Sequence, residues 1–225
     1  ESEGERVELS AVICNIPFQA CTEVLREWED EVVPNLSPDL PMFENMDAVS
    51  VGSLDDVTYP GMDFIRKNYP GMRSIVVLAE ELPERVVELA GVQEAEDGSA
   101  YAYAHYEIHK ECVWAGVDLC STLQAKGYQA IVFGDLAPDV PTTIGKFGRH
   151  MPDLRGNAPF AVAAGLGVLG KGGMVVHPKF GPRMRFIFVL TDAVLTPTKT
   201  DPTSLCPKDC KYCAASCPMA ALAEE

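Results

Sequence analysis

The sequence lacks any long apolar run. Its longest apolar stretches, residues 158–164 and 184–190, fall far short of the roughly 20 residues that a membrane-spanning helix requires. We therefore predict no membrane span. Apolar residues still make up 47% of the 225 residues, which is ordinary for a globular protein and excludes a largely disordered chain.

Positive charge is scarce in the first part of the chain. Residues 1–135 contain 8 Lys and Arg against 26 Asp and Glu, whereas residues 136–225 contain 10 against 7. A polyanion is repelled by the first part, so we predict that the protein does not bind nucleic acid. A small anionic cofactor near the second part is compatible with this distribution.

The features of a secreted disulfide framework are also missing. Such frameworks occur in small chains with a signal peptide, and neither feature is apparent here. Four of the eight cysteines lie within twelve residues near the C-terminus. Clustered cysteines in a chain of this size favour metal ligands in a reducing compartment, so we predict a cytoplasmic protein.

The hydrophobic pattern alternates between helices and strands. It predicts helices over residues 17–33 and from about residue 100 to Lys126, the latter with a buried stripe of Ile108, Cys112, Ala115, Leu119 and Leu123 and with Gly127 as its stop. It predicts strands at residues 48–54, 74–78, 129–133, 174–176 and 184–190, the last two joined by a turn at 178–182. Residues 197–202 resemble a linker. These elements predict an α/β or α+β sandwich with a small metal module appended.

The most specific motif is CPKDCKYCAASCP, from Cys206 to Pro218. Three closely spaced cysteines followed by Cys-Pro are typical of ferredoxin loops that hold a [4Fe–4S] cluster, because thiolates are soft ligands for iron. Cys206, Cys210 and Cys213 are the predicted ligands, and Cys217 either completes the same cluster or serves another. A four-cysteine zinc site is the alternative. The spacing also fits radical S-adenosylmethionine enzymes, but those carry the motif early in the chain.

A second motif, from Gly165 through Gly167 to Gly170, has the form GxGxxG. A dinucleotide-binding turn requires a helix after it and an acidic residue about 20 positions on, and neither is present. A glycine-rich turn still allows close backbone approach to a flat or phosphate-bearing ligand. Lys171 at its tip is either an anion contact or a solvated lysine.

The stretch from residue 157 to 195, NAPFAVAAGLGVLGKGGMVVHPKFGPRMRFIFVLTDAVL, together with the cysteine motif, resembles epoxyqueuosine reductases and reductive dehalogenases. Residues 69–79 and 123–131 are similar to further segments of that family. The resemblance implies a nitroreductase-like α+β core over residues 1–196, a ferredoxin-like iron–sulfur module over 203–225, and a base-off cobalamin that receives electrons from the cluster.

The resemblance also implies site residues. Asp135 falls where epoxyqueuosine reductases place a catalytic Asp, and Tyr106 lies near the family's Tyr; a turn-capping role for Asp135 is the alternative. His105 and His109 are predicted on an exposed helix face, and His177 has no evident partner. The predicted cofactor site comprises Ala164, Gly165, Leu166, Gly167, Gly170, Lys171, Arg183 and Arg185, and its three cations supply positive charge in a location that suits the phosphate of a corrinoid's nucleotide loop.

Three functions are compatible with these features. The first is a reductase of a small organic substrate, dependent on a corrinoid and a cluster, served by a redox partner protein and forming a homodimer. The second is an electron-transfer or cofactor-carrier protein of the same fold. The third is a flavin-binding relative that uses FMN.

Overall fold

The computed structural model describes residues 36, 40–59, 62–90, 99–134, 157–198, 204–217 and 219–222. The strands are β1 (Ala48–Ser53), β2 (Ser74–Glu81), β3 (Ala130–Phe133), β4 (Val168–Leu169), β5 (Val175–Val176) and β6 (Met184–Thr191). The α-helices are α1 (Met62–Asn68), α2 (Glu84–Ala90), α3 (Ser99–Ala125), α4 (Ala158–Ala163) and α5 (Tyr212–Ala215), with 3-10 turns at Pro41–Phe43 and Leu54–Asp56. None of the helices in this part of the chain has the length and apolar character of a membrane span.

Four strands form one antiparallel sheet in the order β1-β2-β6-β3. The central pair, β2 and β6, is aligned over its full length, from Ser74 opposite Thr191 to Glu81 opposite Met184. Most residues of both strands are buried, because the sheet is covered on both faces. This explains why these segments are continuous apolar runs rather than alternating ones.

Helix α3 covers one face of the sheet and shorter elements cover the other. The α3 face buries alternate strand residues such as Val76, Leu78 and Val189. The opposite face buries the intervening residues against α1, α4 and the chain after α4, with Phe160 stacked 4.2 Å from Phe188 between ring centroids. The protein is therefore a mixed sandwich of α–β–α layers, and the predicted α+β class is confirmed.

The long helix agrees closely with the sequence prediction. The five residues of the predicted stripe are all buried: Ile108, Cys112, Ala115, Leu119 and Leu123. Gly127 follows the helix with φ +86°, a left-handed conformation that glycine adopts without strain. Cys112 and Cys120 are core residues, as expected, and burial raises the pKa of their thiols to about 12 and about 11.

Two predictions about the glycine-rich region need correction. The segments at 174–176 and 184–190 do not pair with each other: β5 pairs with β4, and β6 lies between β2 and β3. The GxGxxG motif therefore leads into a small hairpin, whose first strand, the two-residue β4, was too short to recognise from the sequence. Helix α4, like α1 and α2, was also missed, because it spans only six residues and begins next to Pro159.

Gly52 in β1 sets how closely α4 approaches the sheet. A Cβ at this position would lie 2.4 Å from the carbonyl oxygen of Ala163 and 2.5 Å from Cα of Ala164, both backbone atoms. Because backbone cannot move aside cheaply, we expect Gly52→Ala to lower the free energy of unfolding by about 2–3 kcal/mol. Urea denaturation followed by circular dichroism measures the change.

Gly116 in α3 is the matched control. A Cβ there would meet only side-chain atoms, Cγ2 of Val132 at 2.8 Å and Cδ1 of Ile187 at 3.0 Å. Gly116→Ala also gains about 1 kcal/mol of helix propensity, so its net effect should stay within about 1 kcal/mol. Equal losses in the two variants would contradict the backbone-contact explanation.

Candidate functional site

The hairpin turn between β4 and β5 lies against the cysteine loop. A Cβ at Gly170 would lie 3.3 Å from Sγ of Cys206, and one at Gly172 would lie 2.8 Å from Sγ of Cys213. Two of the predicted cluster ligands therefore face one glycine turn. Both glycines are needed for this approach, since a side chain at Gly172 would occupy the position of the sulfur.

Lys171, between these glycines, joins the turn to the cysteine loop. Its ammonium donates to the carbonyl oxygen of Lys208 at 2.5 Å and lies 3.4 Å from that of Cys210. These hydrogen bonds fix the loop on the core at the point where the first two cysteines are presented. Lys171 is exposed, and its ammonium contacts the cysteine loop.

The cysteine loop supplies four thiols. Cys206, Cys210 and Cys217 are partly buried and Cys213 is exposed. Among the residues that the structure describes, no three His, Cys, Asp or Glu side chains converge on a point where one metal ion would bind. Thiolates are soft donors that bind either a zinc ion or an iron–sulfur cluster, so the donor set is compatible with both.

Cys217 has a polarised environment. The backbone N–H of Ala221 donates to its sulfur at 3.3 Å. This hydrogen bond and those from neighbouring amides, Met219 among them, lower the pKa of the Cys217 thiol. Thiolate character at this position suits a ligand to iron.

A cavity of about 400 Å³ opens on the other side of the same turn. Gly172 and Gly173 form part of its wall, together with Tyr101 and His105 from α3 and with Asn157 and Arg185. A second, adjoining cavity of about 470 Å³ shares Ala158 and Gly173 and has apolar walls that include Val162 and Leu169. Gly172 thus separates Cys213 from a space large enough for a small organic molecule.

Arg185 and His109 form a polar pair at the cavity edge. Arg185 is 6% exposed, and its Nε donates to Nδ1 of His109 at 3.3 Å. Because Nδ1 accepts this hydrogen bond, the proton of a neutral His109 lies on Nε2, on the side of the ring that packs toward Gly134. Both His105 and His109 are half-buried, so the predicted exposed histidine face is wrong.

Tyr106 does not reach the cavity. It is 60% exposed, and Lys110 lies 5.3 Å above its ring. At about 100° per residue, Tyr106 lies roughly 140° around the helix from the cavity-lining Tyr101, whereas His105 lies about 40° from it. The predicted Tyr is therefore on the wrong face of α3, and Tyr101 is the tyrosine that this cavity contains.

The predicted phosphate-binding cations do not converge. Lys171 contacts the cysteine loop, and Arg183 forms an ion pair with Glu81 at 2.7 Å. Of the three, only Arg185 lines the cavity.

The AGLG segment, Ala164–Gly167, supports the site without lining either cavity. Ala164 and Leu166 are buried in the core, and Gly165 ends α4 with φ +80°. Gly167 packs against the backbone of Val176, where a Cβ would lie 2.4 Å from the carbonyl oxygen. Gly165 and Gly167 serve chain packing, whereas the glycines that line the cavity of about 400 Å³ are the later pair, Gly172 and Gly173.

A half-buried carboxyl beside this region was not predicted from the sequence. Glu80 lies opposite Arg185 in the β2–β6 register. Burial, and then the nearby carboxylates of Glu111 and Asp47, raise the pKa of Glu80 to about 7. This carboxyl therefore titrates near neutral pH, next to a cavity residue.

Two other predicted positions lie around the site. His177 accepts hydrogen bonds at Nδ1 from the backbone N–H groups of Lys179 and Phe180, and burial lowers its pKa, so it holds the turn before β6. Asp135 lies outside the described residues. Its neighbour Gly134 accepts a hydrogen bond from the side-chain amide of Asn157.

Comparisons with known proteins agree with the family resemblance. No protein-family model matches the chain. A tetrachloroethene reductive dehalogenase of Desulfitobacterium hafniense is 41% identical over 73 residues, which cover 31% of this chain and 13% of that protein. The corresponding enzyme of Sulfurospirillum multivorans is 41% identical over 68 residues, 29% of this chain and 13% of the relative.

Solved structures show the same fold. An epoxyqueuosine reductase superposes with a TM-score of 0.50 at 14% identity, covering 79% of this chain and 49% of that one. An epoxyqueuosine reductase with a tRNA stem loop also gives 0.50 at 14% identity, covering 88% and 52%. The chain therefore corresponds to about half of these reductases. Its relationship to the epoxyqueuosine reductases and reductive dehalogenases, predicted from the sequence, is confirmed.

Proposed function

We propose that the protein is an iron–sulfur-dependent reductase that delivers single electrons from a [4Fe–4S] cluster to a small organic molecule in the cavity. The observation that carries the proposal is the position of Gly172. It packs against Sγ of Cys213 on one side and forms cavity wall on the other. Its relatives, by name, are reductases, which supports the reaction class.

The cysteine loop and the glycine turn would together hold the cluster. Cys206, Cys210 and Cys213 would bind it as thiolates, with Cys217 as the fourth ligand. Lys171 holds the loop through two backbone carbonyls, and its positive charge lies beside the anionic thiolates. The cluster, when bound, supplies single electrons.

Residues on the cavity side of the turn would orient the substrate and supply protons to it. Arg185 lines the cavity and would hold polar groups of a bound molecule in one orientation. Tyr101 and His105 line the same space, and each carries a transferable proton. Asp135, one residue beyond the anchored Gly134, is the acid expected from the sequence.

A corrinoid is the organic cofactor that we propose for the adjoining cavity. The two cavities have volumes of about 400 and 470 Å³ and share Ala158 and Gly173, which gives a space in the range of organic cofactor sites. Apolar walls and a backbone without side chains at Gly173 suit a flat macrocycle. Such a cofactor, when bound, would supply two-electron reducing chemistry at the metal.

Anaerobic reconstitution with iron and sulfide, followed by addition of hydroxocobalamin and, separately, FMN, tests the proposal. We expect about four irons and four sulfides per chain, as a single cubane cluster contains, with broad visible absorption and retained cobalamin bands after gel filtration. Cluster bands alone would favour an electron-transfer protein. Retained FMN would favour the flavin-binding alternative, and bound zinc without sulfide would exclude the cluster.

A further inference from the structure

The outer face of α3 carries three large aromatic side chains that are exposed to solvent. Tyr103 is 70% exposed, Tyr106 60% and Trp114 65%. Neighbouring apolar side chains on a protein surface mark contacts with other molecules. Trp and Tyr are also the residues most enriched among those that dominate the binding energy of protein–protein interfaces. This face of α3 therefore has the composition of a protein–protein contact.

The exposed face follows the spacing of a seam between two packed helices. Six residues, which we call the α3 seam, recur at alternating intervals of three and four positions: Ala100, Tyr103, Glu107, Lys110, Trp114 and Val117. Side chains at these intervals line one side of a helix and meet a second helix packed along it. At about 100° per residue, the cavity-lining Tyr101 and His105 lie on the opposite side of α3 from Tyr103. A helix on the α3 seam would therefore leave the cavity open.

The charges at the centre of the α3 seam are complementary between two antiparallel copies. Within one chain, Glu107 and Lys110 are partly exposed and form an ion pair at 3.0 Å. A two-fold axis that passes between residues 108 and 109 places residue 107 of each copy opposite residue 110 of the other. Each acid then faces a base across the axis, which favours this pairing and its register. A parallel pair would place like charges opposite each other.

The same axis also matches the apolar positions of the α3 seam. It places Tyr103 of each copy opposite Trp114 of the other, and Ala100 opposite Val117. Aromatic side chains that meet in this way stabilise a contact beyond the area that they bury. The paired segment, residues 100–117, is about 26 Å long at 1.5 Å per residue. One register therefore satisfies both the charged centre and the apolar flanks.

We propose that two copies of this chain associate through the α3 seam, antiparallel and in this register. The contact is independent of the proposed function, because it uses neither the cysteine loop nor the cavity. A single pair of helices makes a small interface, so the dimer is reversible and its population depends on protein concentration. The formal net charge of −15 opposes association at long range. Salt at about 0.15 M screens this repulsion beyond about 8 Å.

Sedimentation velocity of the full chain in this salt, from low to high micromolar concentration, tests the proposal. We expect the mass to rise from that of one chain to that of two. Trp114→Ala should weaken the association at least about tenfold, because truncation of a central Trp removes a dominant contact. Val194→Ala is the control, since Val194 is also 65% exposed but lies outside α3. This variant should dimerise as the unaltered chain does.

Charge reversal tests the register. Lys110→Glu leaves acids at both central positions and Glu107→Lys leaves bases at both, so each variant alone should dimerise at least about tenfold more weakly. An equimolar mixture of the two variants should associate at least as tightly as the unaltered chain, because every central position then meets an opposite charge. Lys67→Glu, at an exposed position of α1, changes the net charge as much as Lys110→Glu does and should leave the dimer unchanged.

An unaltered chain that stays monomeric throughout this range would overturn the proposal, and another segment of the chain or a different protein would then be the partner of the aromatic face. A dimer that persists in folded Trp114→Ala and in both charge-reversed variants would also overturn it, because a different surface would form the contact. Circular dichroism verifies that each variant is folded. Iron and sulfide content, which reports on the proposed function, should be the same in all of them.

Discussion

A variant that combines Cys206→Ser, Cys210→Ser and Cys213→Ser is expected to retain essentially no iron and no inorganic sulfide after anaerobic reconstitution. Thiolates are the ligands that hold a cubane cluster, and a serine hydroxyl at neutral pH is a poor replacement for three of them at once. Iron and sulfide assays, with the visible spectrum, measure the loss. The fold should persist, because the cysteine loop lies outside both hydrophobic clusters of the core.

Cys120→Ala provides the control. Cys120 is buried in α3, and burial raises the pKa of its thiol to about 11, so it is a packing residue rather than a ligand. This variant should keep the full iron and sulfide content. Unchanged content in the triple variant would exclude these cysteines as ligands. Cys217→Ser should lose part of the cluster, since its sulfur is polarised by neighbouring amides.

The core was predictable from the sequence because its signals are local. Five apolar residues at helical spacing identified the buried side of α3, and SIVVL identified β2, which extends three residues further, to Glu81. The cysteine motif was recognisable for the same reason, since its ligands lie within one loop. Short elements were missed, because the two-residue strand β4 and the six-residue α4 carry too few positions to show a period.

The cavity was not predictable because it is assembled by distant contacts. Asn157, Arg185 and Gly172 belong to three different elements, and no spacing in the sequence relates them. The face of α3 that lines the cavity was also ambiguous, since Tyr101, Tyr103 and Tyr106 lie close together in the sequence. Their positions around the helix, and hence the choice of Tyr101, depend on how α3 packs on the sheet.

In the sequence, Asp135 comes two residues after the last residue of β3. Ligand sites at the carboxyl ends of strands are a property of parallel sheets, whereas β3 runs antiparallel to β6. The end of β3 is relevant on other grounds. The carbonyl oxygen of Gly134 accepts a hydrogen bond from the side-chain amide of Asn157. A Cβ added to Gly134 would lie 3.4 Å from Cε1 of His109. The chain therefore leaves Gly134 beside two polar residues associated with the cavity.

Asp135→Asn is expected to lower turnover by about two orders of magnitude or more while leaving cluster content unchanged. A reduction at carbon needs a proton as well as electrons, and loss of a general acid lowers rates by about 10²–10⁴-fold. The amide keeps the shape of the carboxyl and cannot donate as an acid. Turnover is followed as oxidation of reduced viologen in the presence of halogenated and epoxide substrates.

Tyr106→Phe is the matched control for this prediction. Its hydroxyl belongs to a side chain that is 60% exposed and packs under Lys110, so its removal should leave the rate unchanged. An Asp135→Asn variant that loses stability but keeps its rate per folded molecule would make Asp135 a turn-capping residue. The proton would then come from Tyr101 or His105, which line the cavity. A loss of rate in Tyr101→Phe or in His105→Gln would identify the residue that donates it. If all of these variants retain the rate, none of these side chains is the proton donor; absence of turnover in the unaltered, reconstituted chain would favour the electron-transfer alternative.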